Sequence, residues 1–151
     1  MTRLPAATTS SAPALPARLR MVVTRLARRL RQQGDAAASP TQLAALATIE
    51  RDGPITLGDL ATIERVRPPT ITAAVGRLEE QQLVQRRTDS RDRRVARVEI
   101  TAHGRRLLAQ SRSRKTAYLE RQLAALGSDE RATLERAAEI LERVLEDEER
   151  P

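Results

Sequence analysis

Residues 95–100 alternate with a two-residue period in a chain whose other apolar residues largely step by three and four, and this contrast strongly constrains the fold. Leu83 to Arg87 and Val95 to Ile100 read as two strands, the second alternating Val95, Arg97 and Glu99 with Ala96, Val98 and Ile100. Between them lies a polar tip, Thr88-Asp89-Ser90-Arg91-Asp92-Arg93-Arg94. The pattern predicts one small hairpin in an otherwise helical chain.

Helices are expected on both sides of it. Leu19, Val22, Val23, Leu26 and Leu30 form one stripe that ends before Gly34. Ser39 can cap a second helix with Pro40 in its first turn and Leu43, Leu46, Ala47 and Ile49 facing inward, stopped by Asp52-Gly53-Pro54. Thr56 with Asp59 resembles a capping box with Asp in place of Glu, opening a short helix through Leu60, Ala61 and Ile63. The next helix starts at Pro68 or Pro69 and turns Ile71, Val75, Leu78 and Leu83 inward; Gly76 within it costs about 1 kcal/mol relative to Ala. After the hairpin, Thr101 caps a long helix that reaches Gly127. Ser128 opens the last, in which Leu134, Ala137, Ala138, Leu141, Val144 and Leu145 keep heptad-like spacing. Residues 1–15 mix Pro, Ser, Thr and Ala without period and read as a disordered arm rather than a secretory signal.

Composition narrows the chemistry. The 151 residues include no Cys and one His, so thiolate metal sites, thiol nucleophiles and His-paired catalytic dyads drop out, and neither an enzyme, a cofactor nor a metal is expected. No apolar run approaches the roughly 20 residues of a spanning helix. The net charge of +7 is unevenly spread: residues 1–50 carry 7 basic and 2 acidic side chains, 51–115 carry 15 and 8, and 116–151 carry 5 and 10. A basic body with an acidic end favours a polyanionic partner. With Tyr118 as the single aromatic, stacking platforms for single-stranded bases are missing, so duplex DNA fits better.

Two short helices followed by a basic hairpin describe a winged helix-turn-helix, whose second helix enters the major groove. Thr56-Leu57-Gly58-Asp59-Leu60-Ala61, Pro68-Pro69-Thr70-Ile71-Thr72, Arg77-Leu78-Glu79, Asp89-Ser90-Arg91-Asp92-Arg93-Arg94 and Ile100-Thr101-Ala102-His103-Gly104 resemble the MarR family of bacterial transcription regulators over residues 17–148. Two departures stand out: Arg67 where that family often places a capping Ser, and Gln82 where Gly usually ends the recognition helix.

The expected architecture is mainly α with a small β-wing. A helix over 16–34 and helices over 101–151 serve dimerisation, and the DNA-binding region spans 39–100. Arg77 can donate two hydrogen bonds to guanine O6 and N7, while Thr70 and Thr72 can bond bases or phosphates. Pro69 and Ala73 allow close approach, and Arg67 adds charge beside the phosphate track. In the wing, Arg91, Arg93 and Arg94 suit a narrow A·T-rich minor groove, with Asp92 orienting one of them. His103 reads as a first-turn surface residue. A monomer would leave Leu19, Val22, Leu26, Leu134, Leu141 and Leu145 exposed, so a homodimer is expected. The resemblance further implies a repressor of a pseudo-palindromic operator, cytoplasmic and nucleoid-associated, that a small amphipathic effector releases. The same charge pattern also suits a protein that coats duplex without reading its sequence.

Overall fold

A computed structural model describes residues 14–34, 38–92 and 94–149, with side chains to residue 146. In chain order the elements are α1 (Leu15–Gln32), α2 (Pro40–Asp52), α3 (Leu57–Ile63), α4 (Pro68–Glu80), β1 (Val84–Thr88), β2 (Ala96–Ile100), α5 (Ala102–Ala124) and α6 (Ser128–Glu149). The winged-helix expectation holds: among the described residues there are six helices and one two-stranded antiparallel sheet, which packs against α2 and α4. Residues 1–13 of the expected arm lie outside the described residues, and Leu15 already belongs to α1.

The core lies under α2, α3, α4 and the hairpin, where Leu46, Ile49, Leu60, Ile71, Val75, Leu78, Leu83 and Val98 are fully buried. Leu43 and Ala47 pack against this core only partly buried. Ile63 is exposed instead of inward, because it lies about 200° around the helix from buried Ala61. Two polar side chains are buried with partners. Gln42 completes a capping box with Ser39, and the Thr48 hydroxyl donates to the Glu64 carboxylate.

The strands begin one residue later than expected, and the end of α4 explains why. Gln82 N–H donates to the Glu79 carbonyl and Leu83 N–H to the Leu78 carbonyl, each at 2.9 Å, with Gln82 at φ 57°. This is a left-handed helix stop that delivers Leu83 to the core before β1 starts. Arg65, at φ 52°, closes α3 the same way, with Val66 N–H on the Ala61 carbonyl at 3.1 Å. Each non-Gly residue in that conformation costs roughly 1–2 kcal/mol. At the other end of the chain, α5 stops at Ala124 rather than Gly127, and Leu126 N–H closes the turn on the Leu123 carbonyl.

Candidate nucleic-acid interface

Helix α4 divides into two faces. Ile71, Ala74, Val75 and Leu78 enter the core, while Pro69, Ala73 and Arg77 are exposed on the opposite side with Thr70 and Thr72 at its edges. Gly76 continues the line of Pro69 and Ala73, and nothing lies within 4 Å of where its Cβ would stand. Three small residues on one face let the backbone itself approach a groove. The sequence places Gly76 off the inward face but gives it no contact role, and its spacing of three from Ala73 is the signal for one.

Arg67 caps α4 with no side-chain hydrogen bond. The missing Ser costs little here, because Pro68 and Pro69 have no N–H to satisfy and Thr70 N–H reaches the Arg67 carbonyl at 2.9 Å. The Thr72 hydroxyl donates back to the Pro68 carbonyl at 3.0 Å. Among the described residues Arg67 and Arg77 form no ion pair or side-chain hydrogen bond, so both guanidiniums are available to a ligand.

The wing sorts its arginines into two sets. In the hairpin register Arg87 stands opposite Arg97, a like-charge pair that two carboxylates resolve. Arg87 pairs with Glu99 at 2.7 Å and Arg97 with Asp89 at 2.5 Å, while Arg86 reaches Glu79 of α4 at 2.8 Å. Arg91 and Arg94 have exposed side chains without a protein partner among the described residues; Arg93 lies outside them. Asp92 accepts the backbone N–H of Arg94 at 2.9 Å and so shapes the turn. The larger organising role belongs to Asp89, which sequence reasoning did not single out. One oxygen accepts from Arg91 N–H at 2.7 Å and Asp92 N–H at 3.3 Å, and the other accepts from Arg97 Nε.

The Arg97 guanidinium, followed by the two backbone N–H groups, holds the Asp89 carboxyl down from 3.8 to about 2. A carboxylate stabilised in the folded state contributes fully above its unfolded pKa and is lost as pH falls through the folded one. The wing tip is therefore expected to stay latched at pH 4 and to open near pH 2. Carbon-13 titration of the Asp89 carboxyl should give a midpoint near 2, and a midpoint at 3.8 or above would contradict this geometry.

The reading elements are tied to a rigid base. Glu79–Arg86 fixes α4 to β1, and Ile55 and Val98 exchange backbone hydrogen bonds of 3.0 and 2.8 Å, adding a third short pairing to the root of the wing. Behind the hairpin, the Thr101 hydroxyl accepts Gly104 N–H at 3.1 Å and lies 2.7 Å from the Gln82 carbonyl it donates to. This gives the Thr-x-x-Gly letters a physical role. His103, beside them, is exposed in the first turn of α5.

The residues expected at the dimer contact belong to α1 and α6, outside α4 and the hairpin. Leu19, Val22, Leu26, Leu134, Leu141 and Leu145 are each between 39% and 62% exposed in the isolated subunit.

A helix pair joined by a tight turn, with small residues and unpaired arginines outward and a basic hairpin beside it, defines a winged helix-turn-helix DNA-binding protein. Residues 38–96 match the MarR family. An uncharacterized HTH-type transcriptional regulator of Mycobacterium leprae is 34% identical over 124 residues, 82% of this chain and 87% of that protein. The crystal structure of a putative transcriptional regulator from Pseudomonas aeruginosa superposes with a TM-score of 0.77 at 36% identity, covering 87% of this chain and 94% of that one. A mutant of MepR from S. aureus, solved bound to an oligodeoxyribonucleotide, shares the fold at 18% identity and a TM-score of 0.67, covering 89% and 99% of the two chains. The chain belongs to the MarR family of HTH-type transcriptional regulators. Among the described residues no helix is long and apolar enough to cross a membrane.

Proposed function

We propose that the protein is a repressor that binds a pseudo-palindromic operator as a homodimer, with α4 in the major groove and the wing tip in the adjacent minor groove. The carrying observation is the division among the arginines. Arg86, Arg87 and Arg97 are bound to carboxylates, while Arg67 and Arg77 of the recognition helix and Arg91 and Arg94 of the wing tip are exposed and have no partner among the described residues. The oligonucleotide-bound MepR structure supports the same use of the fold. Repression follows from occupancy, since a dimer spanning successive grooves excludes other proteins from that DNA.

Effector release has support in a cleft of about 310 Å³ where α1, α2 and α5 meet. Leu43, Ala47 and Leu108 give it apolar walls, and Arg31 and Lys115 stand at its rim. The buried Ser111 hydroxyl at this cleft has no hydrogen-bond partner among the described residues. A small amphipathic ligand there bridges the terminal helices and the DNA-reading core. It acts by favouring a spacing of the two reading heads that misfits the grooves.

Selection of bound duplexes from a random pool should return an inverted repeat with half-site centres about 10 base pairs apart. On that site Arg77→Ala should cost about 1–3 kcal/mol and leave random duplex nearly unaffected. Arg94→Ala should instead weaken all duplexes and lower the salt slope by about one unit per lost phosphate contact. Equal loss on specific and random duplex in both variants, with no palindrome selected, would favour a sequence-independent coating protein.

A further inference from the structure

Arg65 stands in the turn between α3 and α4 at φ 52°, a left-handed conformation that a residue with a side chain enters only at a cost. The turn itself does not need an arginine. Val66 packs against the core, and the Arg65 and Val66 N–H groups close α3 on the Thr62 and Ala61 carbonyls at 3.2 and 3.1 Å. Both bonds come from the backbone, so a glycine would make them equally well and without the strain. The Arg65 side chain is exposed and has no ion pair or hydrogen bond among the described residues. Its neighbour Glu64 is engaged across α2, where the carboxylate accepts from the Thr48 hydroxyl.

The start of α4 gives a reason for a cation at this position. Helices that enter DNA commonly offer first-turn N–H groups to the neighbouring phosphate. Here Pro68 and Pro69 have no N–H, and Thr70 and Ile71 both donate to the Arg67 carbonyl, at 2.9 and 3.3 Å. The first turn therefore keeps no free amide, and contact with a phosphate falls to side chains. Arg67 is one such exposed cation, and Arg65 lies two residues before it, within about 7 Å along the chain. We infer that Arg65 is a further DNA-binding residue, which holds, together with Arg67, the backbone phosphate at the edge of the groove that α4 enters. The guanidinium fork matches phosphate oxygens two at a time. This rests on α4 lying in the major groove and adds to that reading the anchor that sets where the helix begins against the DNA backbone. A contact to phosphate contributes affinity on every sequence and discriminates between none.

Arg65→Asn and Arg65→Lys test this in the full-length protein. Asn enters the left-handed conformation more easily than Arg and carries no charge, whereas Lys keeps both the charge and the strain. Arg65→Asn should melt at or above the wild-type temperature, yet bind the selected operator and a random duplex each about tenfold more weakly at low salt. The slope of log affinity against log salt should fall by about two for a dimer, one per half-site. Arg65→Lys should keep the wild-type slope and bind within about threefold of wild type. A residue that only shaped the turn would lose binding in step with stability. Unchanged affinity and slope in Arg65→Asn, a loss in Arg65→Lys as large as in Arg65→Asn, a lower melting temperature in Arg65→Asn, or a loss confined to the operator would each overturn the phosphate contact. Arg77→Ala keeps the two readings apart. If it removes discrimination while Arg65→Asn changes nothing, α4 stays in the groove and only this anchor fails; if neither variant alters binding, the groove reading fails with it.

Discussion

Gly104→Ala is expected to lower stability by about 3 kcal/mol, the upper part of the usual range for overpacking a core. A Cβ at this position would stand 2.2 Å from the Leu83 carbonyl oxygen, 3.1 Å from its carbon and 2.8 Å from Ile100 Cγ1. Most of that obstruction is backbone, which cannot rotate away as a side-chain tip would. The carbonyl is also pinned, since Thr101 N–H donates to it at 3.0 Å and the Thr101 hydroxyl lies 3.1 Å from it. Relief of the clash therefore disrupts the junction that joins the end of α4, the start of β1 and the cap of α5. For a domain of this size the loss corresponds to roughly 6–12 °C in melting temperature. Gly76→Ala supplies the contrast: with open space around it, helix propensity alone should raise stability by up to about 1 kcal/mol. A Gly104→Ala protein that melts like wild type would show that the Thr-x-x-Gly junction is not a packing constraint.

How far the sequence shows this fold depends on whether a feature is written in periodicity or in register. The α4 stripe and the Ser39 and Thr101 caps follow from local letters and stand where those letters place them, while β2 keeps its alternation but starts one residue later. Departures cluster where tertiary packing overrides local propensity. Gln82 and Arg65 take a conformation that Gly usually signals; the resemblance marked Gln82 as the stop position, but no local letter showed that Leu83 is released to the core before β1. The strand shift that follows decides which acid of the wing organises it. Asp89 and Asp92 are equivalent as letters in a polar tip, but the Thr88–Ala96 pairing brings Asp89 beside Arg97 and leaves Asp92 to the turn. The division between paired and unpaired wing arginines was likewise invisible until the Arg87–Arg97 register was known. Thr56 and Asp59 show the limit of motif reading at atomic scale. The hydroxyl accepts Asp59 N–H at 3.1 Å as expected, but the shorter Asp side chain accepts the Thr56 hydroxyl itself, at 2.7 Å, where a longer Glu reaches the backbone.

Leu134→Glu combined with Leu141→Glu is expected to convert the proposed dimer to monomers without unfolding the subunit. Both side chains are already substantially exposed in the isolated chain, at 47% and 40%, so their replacement removes little packing within it. The penalty falls on association instead. Burying a leucine is worth about 1.5–3 kcal/mol in full, and each residue retains close to half of that surface for a partner. Two residues in each of two chains then give roughly 3–6 kcal/mol, or two to four orders of magnitude in the dimer Kd. Buried glutamates without partners add a desolvation cost of the same sign. Operator binding should fall with the dimer, because a single reading head keeps its α4 contacts but loses the second half-site, while binding to one half-site should persist weakly. Sedimentation and far-ultraviolet circular dichroism on the same sample separate the outcomes. A wild-type monomer at micromolar concentration, or a variant that still dimerises like wild type, would exclude the α6 stripe as the contact.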